Sequence, residues 1–267
     1  MRYVVDNDLH IHSSLSLCSN DPGQTPETLL AYAKENGIKT LAITDHFWDS
    51  TVDGASGWYK KQDLAHVEAS KPLPTAEGID FLFGCETDID RNGVLGISKE
   101  TLDKFDVVII PTTHLHMNGF TIDVADINSN ARRAELWVSR LDTLLSMDLP
   151  FEKIGIAHLA CCLIANKSRD DFLEVLSLIP SSAMEALFTK AASLGVGIEL
   201  NQYDVSCTEE ELDTVFRMFR IAKACGCKFY FASDAHHPGD FKKAKERFER
   251  AVDILGLTED DKFTVRR

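Results

Sequence analysis

The sequence predicts an α/β protein in which parallel strands alternate with helices and the strands close into a barrel. Three observations carry that expectation. Short apolar runs and amphipathic helical patterns alternate along all 267 residues, with no Gly/Ser or Pro linker and no internal repeat, so one domain is expected over 1–267. Seven of the nine histidines, with Glu86 and Asp234, fall at or just beyond the C-terminal ends of the apolar runs. Only a closed ring brings so many strand ends to one rim; an open doubly wound sheet would spread them along a line.

The elements follow in order. Val4, Val5, Leu9 and Ile11 make the first run extended and apolar, and it carries His10 and His12. Residues two apart in a strand face the same way, so these imidazoles share a side, as do Asp234 and His236 later. A loop rich in Ser, Asn, Asp and Pro spans 13–23 and holds Cys18 and Asp21. Thr25-Pro26-Glu27 reads as the cap, first-turn proline and early acid of a helix that Gly37 closes. The second strand, 40–45, leads into His46. Residues 47–60, with Trp48, Trp58 and Tyr59, read as a partly ordered loop over the mouth of the site. A helix at about 61–71 bears His66, read as a surface or capping residue. Strands at 79–86 and 106–113 deliver Glu86, then His114 and His116. A long helical pattern covers 123–147, with Leu136, Val138, Leu141, Leu144 and Leu145 on its apolar side. The strand at 153–157 delivers His158. Helices at 168–178 and 181–193 precede a sixth strand, 196–200, which carries Glu199 and leads into Asn201. A helix at 208–225, the strand 228–233 ending in Asp234, and a helix at 239–255 complete the chain.

Composition narrows the function. A hydrophobic share of 44% suits a sizeable core, and a net charge of −14 argues against long nucleic acid as a partner. Seven cysteines without framework spacing point to a reducing compartment. Cys161-Cys162 and Cys225-Gly226-Cys227 lack a matching second pair at zinc-ribbon spacing and read as buried thiols. The first residues form a strand-like run rather than a basic-then-apolar leader, and no apolar stretch approaches the ~20 residues of a membrane span. The expectation is a cytoplasmic protein without membrane contact. No G-x-S-x-G, P-loop or G-x-G-x-x-G stretch is present.

Imidazoles and carboxylates in pairs at strand ends are the donor set of a divalent-metal site. A hydrogen-bonded core histidine accounts for one such pair, but not for the same pattern at strand after strand. Asp8 and Asp45 stand beside their histidines as acceptors for imidazole N–H groups. Glu199 and Asn201 face one way near the rim, as supports for the ligands or contacts to a substrate. Arg132, Arg133 and Lys190 read as solvated helix faces rather than phosphate clamps.

Taken together, Asp8-Leu9-His10-Ile11-His12-Ser13, Ile43-Thr44-Asp45-His46, Gly84-Cys85-Glu86, His114, His158 and Ser233-Asp234-Ala235-His236 resemble the ordered motifs of the PHP (polymerase and histidinol phosphatase) family. The resemblance implies a distorted, TIM-like (β/α)7 barrel with two or three zinc, manganese or iron ions at the C-terminal ends of its strands. It implies one ion on His10, His12, Glu86 and Asp234, and a second on Glu86, as a bridge, with His114 and His158. A third would use His46, His236 and a residue of the first loop. Many members place a histidine eight positions after His10; this chain has Cys18, a thiolate suited to zinc or iron(II). The third site is then retained with altered preference, weak or empty, or served by Asp21. His116 shares a face with His114 and is the alternative ligand.

The activity implied is hydrolysis of a small-molecule phosphomonoester, histidinol phosphate foremost. A hydroxide bridging two ions would attack, coordination having lowered the pKa of water to near ~7. Glu86 bridges; His116, His237 or a coordinated water would protonate the leaving group, though His237 is as readily solvated. Two alternatives stay open: a phosphodiesterase or exonuclease on short oligonucleotides, and a non-catalytic metal-binding module. Oligomeric state is not legible.

Overall fold

The computed structural model describes residues 1–165 and 168–266. Seven strand courses run parallel to their neighbours in the order β1 (Asn7–Asp8), β2 (Thr40–Ile43), β4 (Asp80–Thr87), β5 (Val107–Pro111), β6 (Ile154–Ala157), β7 (Gly197–Asn201) and β8 (Lys228–Ala232). A further segment, β3 (His46–Phe47), prolongs β2 in the same register: Ile43 lies opposite Phe83 and His46 opposite Glu86. The interruption falls at Thr44 and Asp45, whose side chains accept from the backbone N–H of Ile11 (3.0 Å) and Ser13 (2.7 Å).

Hydrogen bonds between the first and last courses bring the ring near closure. Leu9 N donates to Phe231 O (2.9 Å), Asp234 N to His10 O (2.8 Å) and His12 N to Ala235 O (3.1 Å). The first ladder is therefore only two residues long, shorter than its apolar pattern suggests, yet the chain stays extended to His12 along β8. That places His10, His12, Asp234 and His236 at one rim.

Inside the barrel pack Leu9, Ala42, Leu82, Val107, Ile109, Ala157, Tyr230, Ala232 and Phe263. Tyr230 occupies the space opposite Gly155, where a Cβ would lie 2.4 Å from the phenol oxygen. Phe263, from the C-terminal tail, enters beside Gly197 and anchors through its N–H on Phe229 O (2.8 Å). Outside, the helices cover the strands with Leu29, Trp137, Leu141, Phe172, Phe188, Phe216, Phe219 and Phe248, all buried.

The helices depart from expectation mainly at their starts. α1 (Pro26–Asn36) keeps its Thr25 cap and its left-handed Gly37 end. The helix expected at 61–71 is one short α2 (Leu64–Val67) between two 3-10 turns, and a short α3 (Lys99–Leu102) was not anticipated. The long pattern at 123–147 splits into a 3-10 turn, Val124–Asp126, and α4 (Asn130–Leu145), because the Ser129 side chain accepts from Arg132 N and sets the start there. α5 (Arg169–Leu178) and α6 (Ser181–Leu194) match the two helices expected. α7 (Leu212–Ala224) begins later than expected, and α8 (Ala244–Leu255) follows a 3-10 segment, Pro238–Lys243. Among the described residues no single helix is long and apolar enough to cross a membrane.

Candidate metal centre

The C-terminal ends of the strands deliver seven donor side chains to one buried cluster. His10 and His12 come from the run after β1, His46 from β3, Glu86 from β4, His114 from beyond β5, His158 from the end of β6 and Asp234 from the end of β8. Backbone strain accompanies the last two: His158 (φ 28°) and Asp234 (φ 49°) adopt left-handed conformations that L-residues rarely hold without compensation.

Glu86 stands at the centre, 1% exposed, with its two oxygens facing different partners. Oε1 faces His158 Nε2 at 3.2 Å and His114 Nε2 at 3.8 Å. Oε2 faces His46 Nδ1 at 2.9 Å, His12 Nε2 at 3.4 Å and His10 Nε2 at 3.5 Å. Asp234 Oδ1 closes the second group, 3.2 Å from His12 Nε2 and 3.6 Å from His10 Nε2. Three overlapping sets have donor atoms within 4.8 Å of one another: His10, His12 and Asp234; His10, Glu86 and His158; His12, His46 and His236.

The far nitrogen of each candidate ligand imidazole decides what its near nitrogen offers. His10 Nδ1 lies 2.9 Å from Glu199 Oε2, and His114 Nδ1 lies 2.8 Å from Asp88 Oδ2. A carboxylate only accepts, so both Nδ1 atoms carry the proton. Ser16 Oγ gives its one proton to Asp45 Oδ1 (2.6 Å) and so accepts from His12 Nδ1 (2.9 Å). In their neutral, ligating forms His10 and His12 then point lone pairs at each other, with their Nε2 atoms 3.1 Å apart. Two such acceptors repel unless a proton, which the carboxylates around His10 favour, or a metal ion lies between them. The donor set therefore fits a metal ion, and for His10, His12 and His114 the tautomer is fixed in advance.

The electrostatics follow the same geometry. Desolvation pushes the His10 and His46 pKa values down, but Glu199, Asp234 and Glu86 outweigh it at His10, and Glu86 with Cys18 outweighs it at His46, so both rise. His12 falls, desolvated and beside His236 and His46. Burial opposes ionisation of Glu86 and Asp234, yet the neighbouring imidazoles hold both carboxyls below their usual range. Desolvation would raise the Cys18 thiol, but hydrogen bonds with His236 and His46 bring it down to about 7. The residue is exposed at the mouth, which suits a thiolate facing this cluster.

Above the cluster opens a cavity of about 780 Å³. Trp58, Tyr59, Met117, Phe120 and Leu163 give it an apolar side; His116, Asn201, Tyr203 and Arg169 are among its polar lining. Trp58 stands edge-on to His46, centroids 4.9 Å apart. Among the described residues, Arg169 is the one lysine or arginine of the lining. Its Nε and Nη2 are both paired with Glu211 at 2.8 Å. His116 is edge-on to His114 (5.2 Å), and desolvation with His114 takes its pKa down to about 4.

Other residues singled out in the sequence lie elsewhere. His237 Nδ1 meets Asp21 Oδ2 at 3.1 Å and is absent from the cavity lining, and Asp21 also accepts from Gly23 N. His66 Nε2 reaches Leu15 O (2.7 Å) and ties down the first loop. Asp8 does not orient an imidazole; it accepts from Tyr32 OH (3.0 Å) and Ser233 N (2.9 Å). Asp45 acts on His12 only through Ser16. Glu199, fully buried, accepts from Tyr230 OH, Asn201 Nδ2 and His158 N as well as bonding His10, so its oxygens are spent within the protein. Asn201 also reaches Asp234 Oδ2 (3.2 Å) and lines the cavity.

Arg132 and Lys190 are surface residues, paired with Asp126 and Glu135 and with Asp142. Arg133 is not solvated, as expected, but buried: its guanidinium donates to the carbonyls of Leu115, Ile127 and Ile164. Cys227 is a buried thiol, whereas Cys161 and Cys162 line the cavity and Cys162 is exposed. Sequence reasoning missed Asp88, Ser16, Arg169 and Thr113, whose hydroxyl lies 3.1 Å from His158 Nδ1. Asp88 alone carried a signal, its place two residues after Glu86 on an extended chain.

Comparison with known proteins agrees with this fold. A family model described as the PHP domain matches residues 8–256. A "Probable phosphatase" of Shewanella oneidensis is 24% identical over 259 residues, covering 96% of this chain and 83% of that protein. A second "Probable phosphatase", from Shewanella loihica, is 33% identical over 111 residues, 41% of this chain and 40% of that one. Among solved structures, histidinol phosphate phosphatase from Lactococcus lactis, complexed with zinc, L-histidinol and phosphate, superposes with a TM-score of 0.66. That match has 13% identity and covers 98% of this chain and 100% of the other. Through a match spanning nearly the whole barrel, this chain belongs to the PHP domain family.

Proposed function

We propose that the protein is a metal-dependent phosphatase that hydrolyses phosphomonoesters of small molecules. The observation that carries the reading is Glu86, whose Oε1 faces His114 and His158 while Oε2 faces His10, His12 and His46. A carboxylate shared in this way suits two cations on either side of it. One is assigned to His10, His12, Glu86 and Asp234, a second to Glu86, His114 and His158, and a third to His46, His236 and Cys18. Zinc, manganese and iron(II) all suit imidazole and carboxylate donors, and the Cys18 thiolate favours zinc or iron(II). When bound, such ions supply Lewis acidity, which acidifies a water and takes up charge on the phosphoryl oxygens.

The chain's own residues do the rest. Trp58, Phe120 and Leu163, backed by the buried Tyr59, exclude water from one side of the cavity and offer an apolar face to the leaving group. Arg169 is its lining cation, placed to contact an anionic substrate in a protein of net charge −14. His116, with a pKa near 4, is neutral at pH 7 and contributes a hydrogen bond to the leaving oxygen rather than a charge. His237, held by Asp21 away from the lining, is at most an outer contact. The cavity volume lies in the range of small-molecule sites, which favours a compact ester over an oligonucleotide.

Histidinol phosphate is the first substrate to assay, since the Lactococcus lactis structure holds L-histidinol and phosphate. The test is hydrolysis of an aryl phosphate before and after exhaustive chelation. The reading expects activity to vanish and to return with zinc, manganese or iron(II); full activity in the stripped protein contradicts it. A short oligonucleotide cleaved faster than any phosphomonoester on the same preparation moves the assignment to a phosphodiesterase.

A further inference from the structure

The cavity wall and the metal centre share one buried carboxylate. Asp88 lies just beyond β4, two residues after Glu86, and is 0% exposed. A single oxygen, Oδ2, takes two donors: His114 Nδ1 at 2.8 Å and Tyr59 OH at 2.6 Å. Oδ1 is buried with no hydrogen-bond partner among the described residues. Arg140 lies within electrostatic reach, but its N–H groups go to the carbonyls of Ile89, Asp90, Thr112 and Thr121. The orientation of this carboxylate is therefore set by Tyr59 on one side and the ligand histidine on the other.

Tyr59 belongs to the loop that walls the cavity. Its ring is edge-on to Trp58 (4.8 Å) and packs on Phe120 (5.6 Å), and it is fully buried. Trp48 N donates to Gln62 O (3.0 Å), so 48–62 is closed at its base and Tyr59 is its inward anchor. For packing alone a phenylalanine would serve; among the described residues the hydroxyl has one partner, Asp88.

We propose that Tyr59 is a positioning residue that couples the 48–62 loop to the metal ion on His114, through Asp88. The inference rests on the metal assignment under Proposed function. Coupling of this kind is reciprocal. If an anchored loop holds His114 in its ligating orientation, an ion on His114 must in turn hold the loop closed over the cavity. A substrate packed on Trp58, which Tyr59 backs, then meets a wall whose order depends on metal occupancy.

The test uses the full chain, zinc as probe, and two readouts: zinc affinity by competition with a chromophoric chelator, and amide hydrogen exchange across 48–62 with and without zinc. Tyr59→Phe is expected to weaken one zinc site by ~10-fold and Asp88→Asn by ~10–100-fold, the usual range for partners behind a ligand. Zinc is expected to slow exchange in the loop of the wild type and to do so far less in Tyr59→Phe. Tyr32→Phe removes a matched buried bond, to Asp8, and is expected to bind zinc like the wild type. Wild-type zinc affinity and wild-type loop protection in Tyr59→Phe overturn the coupling, as does an equal loss in Tyr32→Phe. A wild type that binds zinc and hydrolyses an aryl phosphate while Tyr59→Phe is unchanged sinks this inference alone; a wild type that binds no zinc sinks the metal assignment with it.

Discussion

Glu86 and Cys18 are the two residues at which the account is most exposed. Replacing Glu86 with Gln keeps the shape but removes the charge that both sets of imidazoles face. The expected result is loss of at least one bound ion per chain by elemental analysis, with circular dichroism unchanged. Cys18, with its thiol at about 7, should be alkylated by iodoacetamide with a midpoint near pH 7, because the thiolate is the reactive form and is populated above that pH. Zinc should protect it; a midpoint near the ordinary thiol value would remove it from the third site. The convergence of these side chains on one rim was legible because a two-residue spacing on a strand fixes a shared face, as with His10 and His12. Of their supports, Glu199 was legible and Asp88 showed only its spacing from Glu86. Ser16 and Thr113 are polar residues whose bonds to Asp45 and His158 cross to other strands, and nothing local distinguishes them from ordinary loop polarity.

At the scale of elements, α4 does more than cover the barrel. Arg140 is 6% exposed and donates to four backbone carbonyls beyond β4 and β5, at Ile89, Asp90, Thr112 and Thr121. Arg133, about two turns earlier in the helix, does the same for Leu115, Ile127 and Ile164. These two side chains fasten the segments that carry Asp88 and His114. Arg140→Met should leave several buried carbonyls unpaired and destabilise the protein by about 3 kcal/mol, read from urea denaturation at constant slope. A change below about 0.5 kcal/mol would mean that water replaces the guanidinium. The apolar side of α4 was legible from Leu141, Leu144 and Leu145. The burial of its arginines was not, because the carbonyls that receive them belong to loops far away in the sequence. The short β1 escaped for a related reason: its apolar run pairs mostly through single bonds to β8 rather than through a ladder.

For the whole molecule, the strand order and the barrel were legible from alternation and from where the polar residues fall, while helix starts followed caps such as Ser129 that compete with apolar periodicity. Two buried carboxyls, Asp8 and Asp204, are pushed up to about 7, in each case chiefly by desolvation. An unfolded aspartate titrates near ~4, so between ~4 and 7 the folded chain holds protons the unfolded chain has released. Their contribution to stability is present at low pH and is lost as pH rises through that window. Asp204→Asn should therefore be more stable relative to wild type at pH 8 than at pH 5, by urea titration; an equal difference at both would deny the shift. Metal binding adds stability of its own, about 2.7 kcal/mol at a hundred times the dissociation constant, visible as a rise in Tm on adding zinc.

The central claim is that imidazoles and carboxylates from separate strands converge on shared cations around Glu86. Elemental analysis of the purified protein tests it most directly. The account predicts at least two zinc, manganese or iron ions per chain, lost together on chelation; fewer than one per chain, in protein that folds and stays folded, would contradict it.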